Sequence, residues 1–319
     1  MASTKPVGFT DIAPNIDRVI DEVETVIIGK RNTIKLLLTA IMCNGHILID
    51  DVPGVGKTTL AKSLAKTLGC TFKRIQFTPD LLPADVTGTS IFNQKTGEFE
   101  FRRGPIFAQF VLTDEINRAT PKTQSSLLEC MEERQVTVDG TTYSLPAPFF
   151  VIATENTLEY HGTYPLPEAQ LDRFMIRLSV GYPEQAEESQ ILESQAVEHP
   201  LVNVRTILSA GEVLDLQRAV KNVYLEPSLR EYIVDIVRAT REHSMVALGA
   251  SPRGSLNLSY ASRSYAGISG RDFVLPDDVK ALVEPVLAHR LILKPEARMR
   301  NVSAANVVDE VLSSVVVPC

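Results

Sequence analysis

A chain of 319 residues with 44% hydrophobic and 22% charged side chains has the composition of a soluble globular protein, long enough for two domains or for one large domain with a satellite. Its formal net charge of −7 argues against broad, non-specific binding to nucleic acid. No run approaches the ~20 apolar residues of a membrane span. Met1–Pro6 has no apolar core of the kind a signal peptide needs, so a cytoplasmic protein without membrane insertion is expected.

Residues 11–43 predict helix, with Ile12, Ile16, Ile20, Val23 and Ile27 at helical spacing, broken at Val26–Lys30 and resumed over Asn32–Asn44. Strands and helices then alternate. His46–Asp50 reads as a short buried strand, Thr58–Leu68 as a helix closed by Gly69, and Thr71–Phe77 as a second strand. Phe110–Thr113 is a third strand, ending in Asp114-Glu115. Thr120 and Pro121 mark the N-cap and first turn of a helix with Leu127, Leu128 and Met131 on its apolar face. Phe149–Ala153 and Met175–Val180 are a fourth and a fifth strand. Alternation of this kind predicts a parallel sheet covered by helices. Two hairpins interrupt it, one with its turn at Gln94–Gly97 and one around Asp139-Gly140. Beyond Tyr182-Pro183 helical patterns dominate, which predicts a core over 1–183 (inserts at about 86–104 and 135–146) and a smaller helical domain over 184–319. None of Cys43, Cys70, Cys130 and Cys319 forms a C-x-x-C pair, so buried thiols in a reducing compartment are expected.

Asp51-Val52-Pro53-Gly54-Val55-Gly56-Lys57-Thr58-Thr59 lies between the first strand and its helix, the context a phosphate-binding loop needs. Glycines let backbone N–H groups curl round a polyphosphate, and the helix N-terminus adds partial positive charge. Lys57 is placed to reach the β- and γ-phosphates and the Thr58 hydroxyl to bind Mg²⁺. Asp51 stands where the pattern has its first glycine, and Asp enters left-handed backbone more readily than most residues. At the end of the third strand Asp114 is expected to hold Mg²⁺ and Glu115 to polarise the attacking water. Asn156, after the fourth strand, is a candidate for the water or the γ-phosphate. Arg173 precedes the fifth strand, where pairing with Asp172 on the surface is the plainer alternative. Arg253 sits in the first turn of a helix opened by Ser251-Pro252.

These residues, with Phe110–Ala119, Ala153–Asn156 and the long run Gly162–Phe174, resemble the MoxR family of AAA+ ATPases over nearly the whole chain. The resemblance implies an αβα P-loop core with sheet order 5-1-4-3-2, one hairpin inserted at helix 2 and another before the sensor strand, and a helical lid. It implies roles for Asn156 as sensor 1, Arg173 as an arginine finger acting on a neighbouring subunit, and Arg253 as sensor 2 acting within its own chain. The Val26–Gly29 segment, with Ile28 and Gly29, would pack near adenine. Thr157 stands where a proline often follows the sensor Asn. It further implies ATP and Mg²⁺ as cofactors and a homo-oligomeric ring, usually a hexamer. The client would be a protein, often carrying a von Willebrand factor A domain, matured or loaded with a metal or cofactor. A metal-chelatase motor subunit and a nucleic-acid motor are the alternatives. Against the latter, Gln135–Leu145 contains no Lys or Arg to meet phosphates.

Overall fold

The computed structural model describes residues 9–156, 163–196 and 198–318. Met1–Pro6, Thr157, Gly162 and Cys319, read above, lie outside them.

Helices α1 (Ile12–Glu24) and α2 (Arg31–Met42) lead into strand β1 (Ile47–Asp50) and helix α3 (Lys57–Thr67). The other sheet strands are β2 (Phe72–Gln76), β5 (Phe110–Asp114), β8 (Phe150–Glu155) and β9 (Ile176–Leu178). Helix α4 (Pro83–Thr87) leads into the first hairpin, β3 (Gly88–Asn93) and β4 (Glu98–Arg103). Helix α5 (Pro121–Glu133) leads into the second, β6 (Gln135–Val138) and β7 (Thr141–Ser144). Asp139 and Gly140 both have positive φ, the backbone a two-residue hairpin turn demands.

The five sheet strands are parallel in the order β2-β5-β8-β1-β9. Counted along the chain that is 2-3-4-1-5, the expected order. Strand alternation divides the interior. Ile47, Ile49, Leu112 and Ile152 face α1, α2 and α3, whereas Leu48, Val111, Val151 and Ala153 face Leu127, Leu128 and Met131 of α5. Short helix α6 (Glu168–Leu171) precedes β9. Cys43, Cys70 and Cys130 are free thiols, and burial pushes them up to about 12, 11 and 12.

After the exposed helix α7 (Gln185–Ser194) the chain is mainly helical: α8 (Ala210–Val220), α9 (Pro227–Glu242), α10 (Pro252–Ile268), α11 (Pro276–Leu287), α12 (Pro295–Met299) and α13 (Ala304–Ser314). Short β pairings depart from an all-helical region: β10 (Val246–Leu248) pairs antiparallel with β11 (Ile292–Leu293), and Tyr224 bridges Phe273. Two- and three-residue strands are too short to show alternation in sequence. Their hydrophobic interior is continuous with that of α1 and α2, running through Leu216, Val237, Leu258, Leu282 and Val308. Polar links cross the same joint. Gln217 donates to the Ile41 carbonyl at 2.7 Å, Ser264 to the Thr39 carbonyl at 2.8 Å, and Arg205 clasps the buried Glu22 carboxylate at 2.8 Å. That clasp holds the Glu22 carboxyl below its usual range, against the effect of burial.

Candidate active site

The carboxyl ends of β1, β2, β5 and β8 open on a cleft of about 340 Å³ lined by Pro53, Gly54, Gly56–Thr59, Arg74, Gln76, Asp114, Glu115, Thr154 and Asn156. Gly54 and Gly56 take φ of +91° and +83°, which turns the loop back over the start of α3. Lys57 and Thr58 are thereby its first two residues. Lys57 Nζ donates to the Asp51 carbonyl at 2.7 Å. Burial lowers the Lys57 ammonium from its ordinary value, against the pull of Asp51, Asp114, Asp50 and Glu115. A partly buried cation at the mouth of an N–H-lined loop is a fitting partner for a polyphosphate.

Asp51 corrects the expectation from its backbone. It is absent from the positive-φ positions. Its side chain explains its presence instead: Oδ2 accepts from Val180 N at 2.7 Å, Gly181 N at 2.8 Å and Ser179 Oγ at 2.9 Å, and Oδ1 from Val52 N at 2.9 Å. The phosphate loop is thus tied to the segment that follows β9. Burial works to raise this carboxyl, but its donors, led by the Gly181 amide, hold it below the usual range.

Asp114 is almost fully buried. Its Oδ1 accepts from Thr154 Oγ1 at 3.0 Å, and its Oδ2 from Arg74 Nε at 2.6 Å and Thr58 Oγ1 at 3.4 Å. A hydroxyl and a carboxylate so placed are hard oxygen donors, which suit Mg²⁺. Glu115 occupies left-handed backbone at φ +56°, an uncommon state for Glu that aims the side chain away from the strand axis. Its amide donates to Thr154 Oγ1 at 2.9 Å, which holds that turn. The carboxylate meets Gln76 Nε2 at 2.8 Å and Arg118 at 3.1 Å. Asn156 is buried at the cleft wall, and its carbonyl accepts from Asn117 Nδ2 at 3.3 Å.

A second hollow adjoins the loop on its other side, lined by Val26, Ile27, Ile28, Val55, Thr59 and Ile191 among others. Its apolar walls suit a planar base. Gly29 is not on that wall. It turns at φ +73°, and a Cβ there would lie 1.7 Å from Glu187 Oε1, so glycine makes room for that carboxylate. Val52 lines neither hollow.

Arg173 and Arg253 lie outside the cleft. Arg253 donates to the Glu132 carboxylate at 2.8 and 3.2 Å, and Arg173 Nε is 3.8 Å from the same group, so Arg173 pairs with Glu132 rather than with Asp172. Glu132 adjoins Met131, whose carbonyl contacts the His46 ring just before β1. Asp172 precedes β9, which runs parallel to β1. Both arginines therefore sit at the amino edge of the sheet, a strand length of roughly 13 Å from the edge that carries the phosphate loop. The expectation that Arg253 serves its own chain's loop is not what this arrangement provides.

Sequence reasoning missed Arg74, Gln76 and Thr154. The signal was present: with β2 beside β5, the polar alternates Arg74 and Gln76 had to end beside Asp114.

The fold and the cleft are those of a P-loop AAA-type ATPase. Residues 46–176 match the family model described as ATPase family associated with various cellular activities (AAA), and residues 238–311 match the AAA lid domain. The chain is 51% identical to the uncharacterised protein YeaC of Bacillus subtilis over 97% of its length and 96% of that protein. It is 44% identical to Chaperone MoxR1 of Mycobacterium tuberculosis, over 98% of this chain and 84% of the relative. The crystal structure of a candidate ATPase from Cytophaga hutchinsonii superposes with a TM-score of 0.90 at 42% identity, covering 97% of this chain and 96% of that one. The chain belongs to the MoxR family of AAA+ ATPases.

Proposed function

We propose that this chain hydrolyses ATP at the cleft between β1 and β5 and uses the cycle to remodel partner proteins. The observation that carries the reading is the convergence of Lys57, Thr58, Asp114 and Glu115 on one cleft, from sequence positions almost sixty residues apart. The loop over Gly54 and Gly56 and the N-terminus of α3 would cradle the phosphates, and Lys57 would leave the Asp51 carbonyl for the β- and γ-oxygens. Thr58 and Asp114 would hold Mg²⁺, which supplies charge neutralisation on the phosphates when bound. Glu115, held by a main-chain turn at the cleft wall, would accept a proton from the attacking water, and Asn156 would orient that water.

Arg173 and Arg253 complete a neighbour's cleft in this reading, because their own lies at the far edge of the sheet. A closed ring, hexameric by family resemblance, places each amino edge against the next subunit's carboxyl edge. The working surface is the hairpin pair. Phe101 of β4 stacks on Tyr143 of β7 at 4.3 Å, so the two inserts meet. Phe92 and Phe99 form a ring pair 5.3 Å apart, with Phe99 74% exposed. An exposed aromatic pair on an insert suits a protein client. The name of Chaperone MoxR1 agrees with such a role. A client with a von Willebrand factor A domain, its maturation by metal or cofactor insertion, and a cytoplasmic setting belong to the same proposal. Among the described residues no helix is long and apolar enough to cross a membrane.

The test is a pair of variants. Lys57→Ala is expected to lose nucleotide binding. Glu115→Gln is expected to bind ATP at parent affinity and lose turnover by a factor on the order of 10² or more. Affinity purification of Glu115→Gln in ATP should then retain the client. Turnover near the parent rate in Glu115→Gln removes the general base from this reading.

A further inference from the structure

A buried arginine of the second region grips the segment that carries Arg173. Arg290 follows α11, and its side chain is 1% exposed. Its Nε donates to Asp172 Oδ1 at 2.8 Å. One terminal nitrogen donates to the Phe174 carbonyl at 2.6 Å and the Asp172 carbonyl at 3.3 Å. The other reaches the Met175 carbonyl at 3.4 Å, the Val286 carbonyl near the end of α11 and the neighbouring His289 Nε2 at 2.7 Å. Every N–H of the guanidinium has an acceptor, and apart from the Val286 and His289 contacts of one terminal nitrogen all go to the short run Asp172–Met175. Burial lowers Arg290 to about 10, against the pull of Asp172, so it stays charged at neutral pH. Burial, with Arg290 beside it, keeps His289 neutral.

The free oxygen of Asp172 joins the other arginine to the same joint. Its Oδ2 accepts from Ser251 Oγ at 3.1 Å and lies 3.8 Å from Arg253 Nε. Ser251 is the N-cap of α10, the helix whose first turn holds Arg253. Asp172 is therefore shared by Arg290 on one side and by the α10 N-terminus on the other.

We infer that Arg290 and Asp172 are positioning residues that lock Arg173 and Arg253 into one rigid unit, so that both guanidinium groups reach the neighbouring subunit's γ-phosphate together. This rests on the reading that Arg173 acts on the neighbour. A planar five-donor fork fixes Phe174 and Asp172 on either side of Arg173, which a lysine ammonium cannot do. The same joint makes the α10–α11 region move with the amino edge of its own sheet, not hinge against it there.

The test uses full-length rings of Arg290→Lys and Asp172→Asn, with Arg173→Ala in parallel. Arg290→Lys is expected to keep nucleotide affinity within about twofold while kcat falls about tenfold or more, because its own loop is intact and only the delivered charge is misplaced. Amide hydrogen exchange over 172–176 should rise by about tenfold in the same variant, a readout independent of turnover. Asp172→Asn should show the same kcat loss at unchanged affinity, and it decides the matter if Arg290→Lys does not fold. Turnover at the parent rate, or affinity falling in step with kcat, overturns the inference. If Arg173→Ala itself turns over normally, the neighbour reading fails, and exchange over 172–176 still reports whether Arg290 anchors the segment.

Discussion

Burial raises the Glu155 carboxyl from 4.5 to about 6, with Asp50 adding to the rise and Arg177 opposing it. The sign for stability follows directly. Between pH 4.5 and 6 the unfolded chain is ionised at this position while the folded chain keeps the proton, so the group's contribution is greatest below 4.5 and declines as pH climbs to about 6. The loss is on the order of 2 kcal/mol. Glu155→Gln carries the neutral form at every pH. Its denaturation midpoint relative to the parent should therefore be higher at pH 7.5 than at pH 4.5. A difference that does not vary with pH would exclude Glu155 as the titrating group. Residues of this kind were hard to read in advance. Nothing in the local sequence around Glu155 marks it, and only its pairing opposite Asp50, which is ion-paired to Arg177, shows two acids set side by side within reach of one guanidinium's charge. Asp51 taught the same lesson in reverse: the motif position was legible, but its side-chain anchor to Val180 and Gly181 needed the fifth strand's placement.

At the scale of elements, the hairpins invite a direct experiment. Phe101 packs between Phe107 and Tyr143, so it joins the inserts, whereas the turn at Gln94–Gly97 projects beyond them. Replacing Gln94–Gly97 with a short Gly-Ser turn should spare ATPase activity and weaken client remodelling. Phe101→Ala should uncouple the hairpins, with a stability cost of about 1 kcal/mol or more for the lost ring contacts. Survival of remodelling in both would move the working surface elsewhere. The strands and both hairpins were legible because alternation and an Asp-Gly turn are local signals. β10 and β11 were not, since their pairing joins residues 246–248 to 292–293 and neither segment has a pattern of its own. Thr120 was legible only by position: it opens α5, but its hydroxyl faces Thr123 Oγ1 at 3.3 Å instead of capping the helix.

At the scale of the molecule, the amino-edge position of Arg173 and Arg253 makes a prediction that separates action within a subunit from action between subunits. Arg173→Ala and Arg253→Ala should each bind ATP almost normally and hydrolyse it slowly, because γ-phosphoryl charge is left uncompensated in the transition state. Lys57→Ala should be inactive for the opposite reason, an empty loop. Mixing Lys57→Ala with either arginine variant restores interfaces in which an intact loop meets an intact arginine, roughly one in four if assembly is random. Recovery is measured as phosphate release from rings shown to be mixed by native mass spectrometry. For Arg253 the outcome is diagnostic. Were it to serve its own loop, each active site would need Lys57 and Arg253 in the same chain, and no mixture of these two variants would recover. Its contact with Glu132, beside Arg173, predicts that the two arginine variants recover alike. An Arg173→Ala, Arg253→Ala double variant mixed with Lys57→Ala should recover to the same extent, since one intact edge then supplies both charges. Recovery by Arg173→Ala without recovery by Arg253→Ala would place the second arginine back at its own chain's cleft.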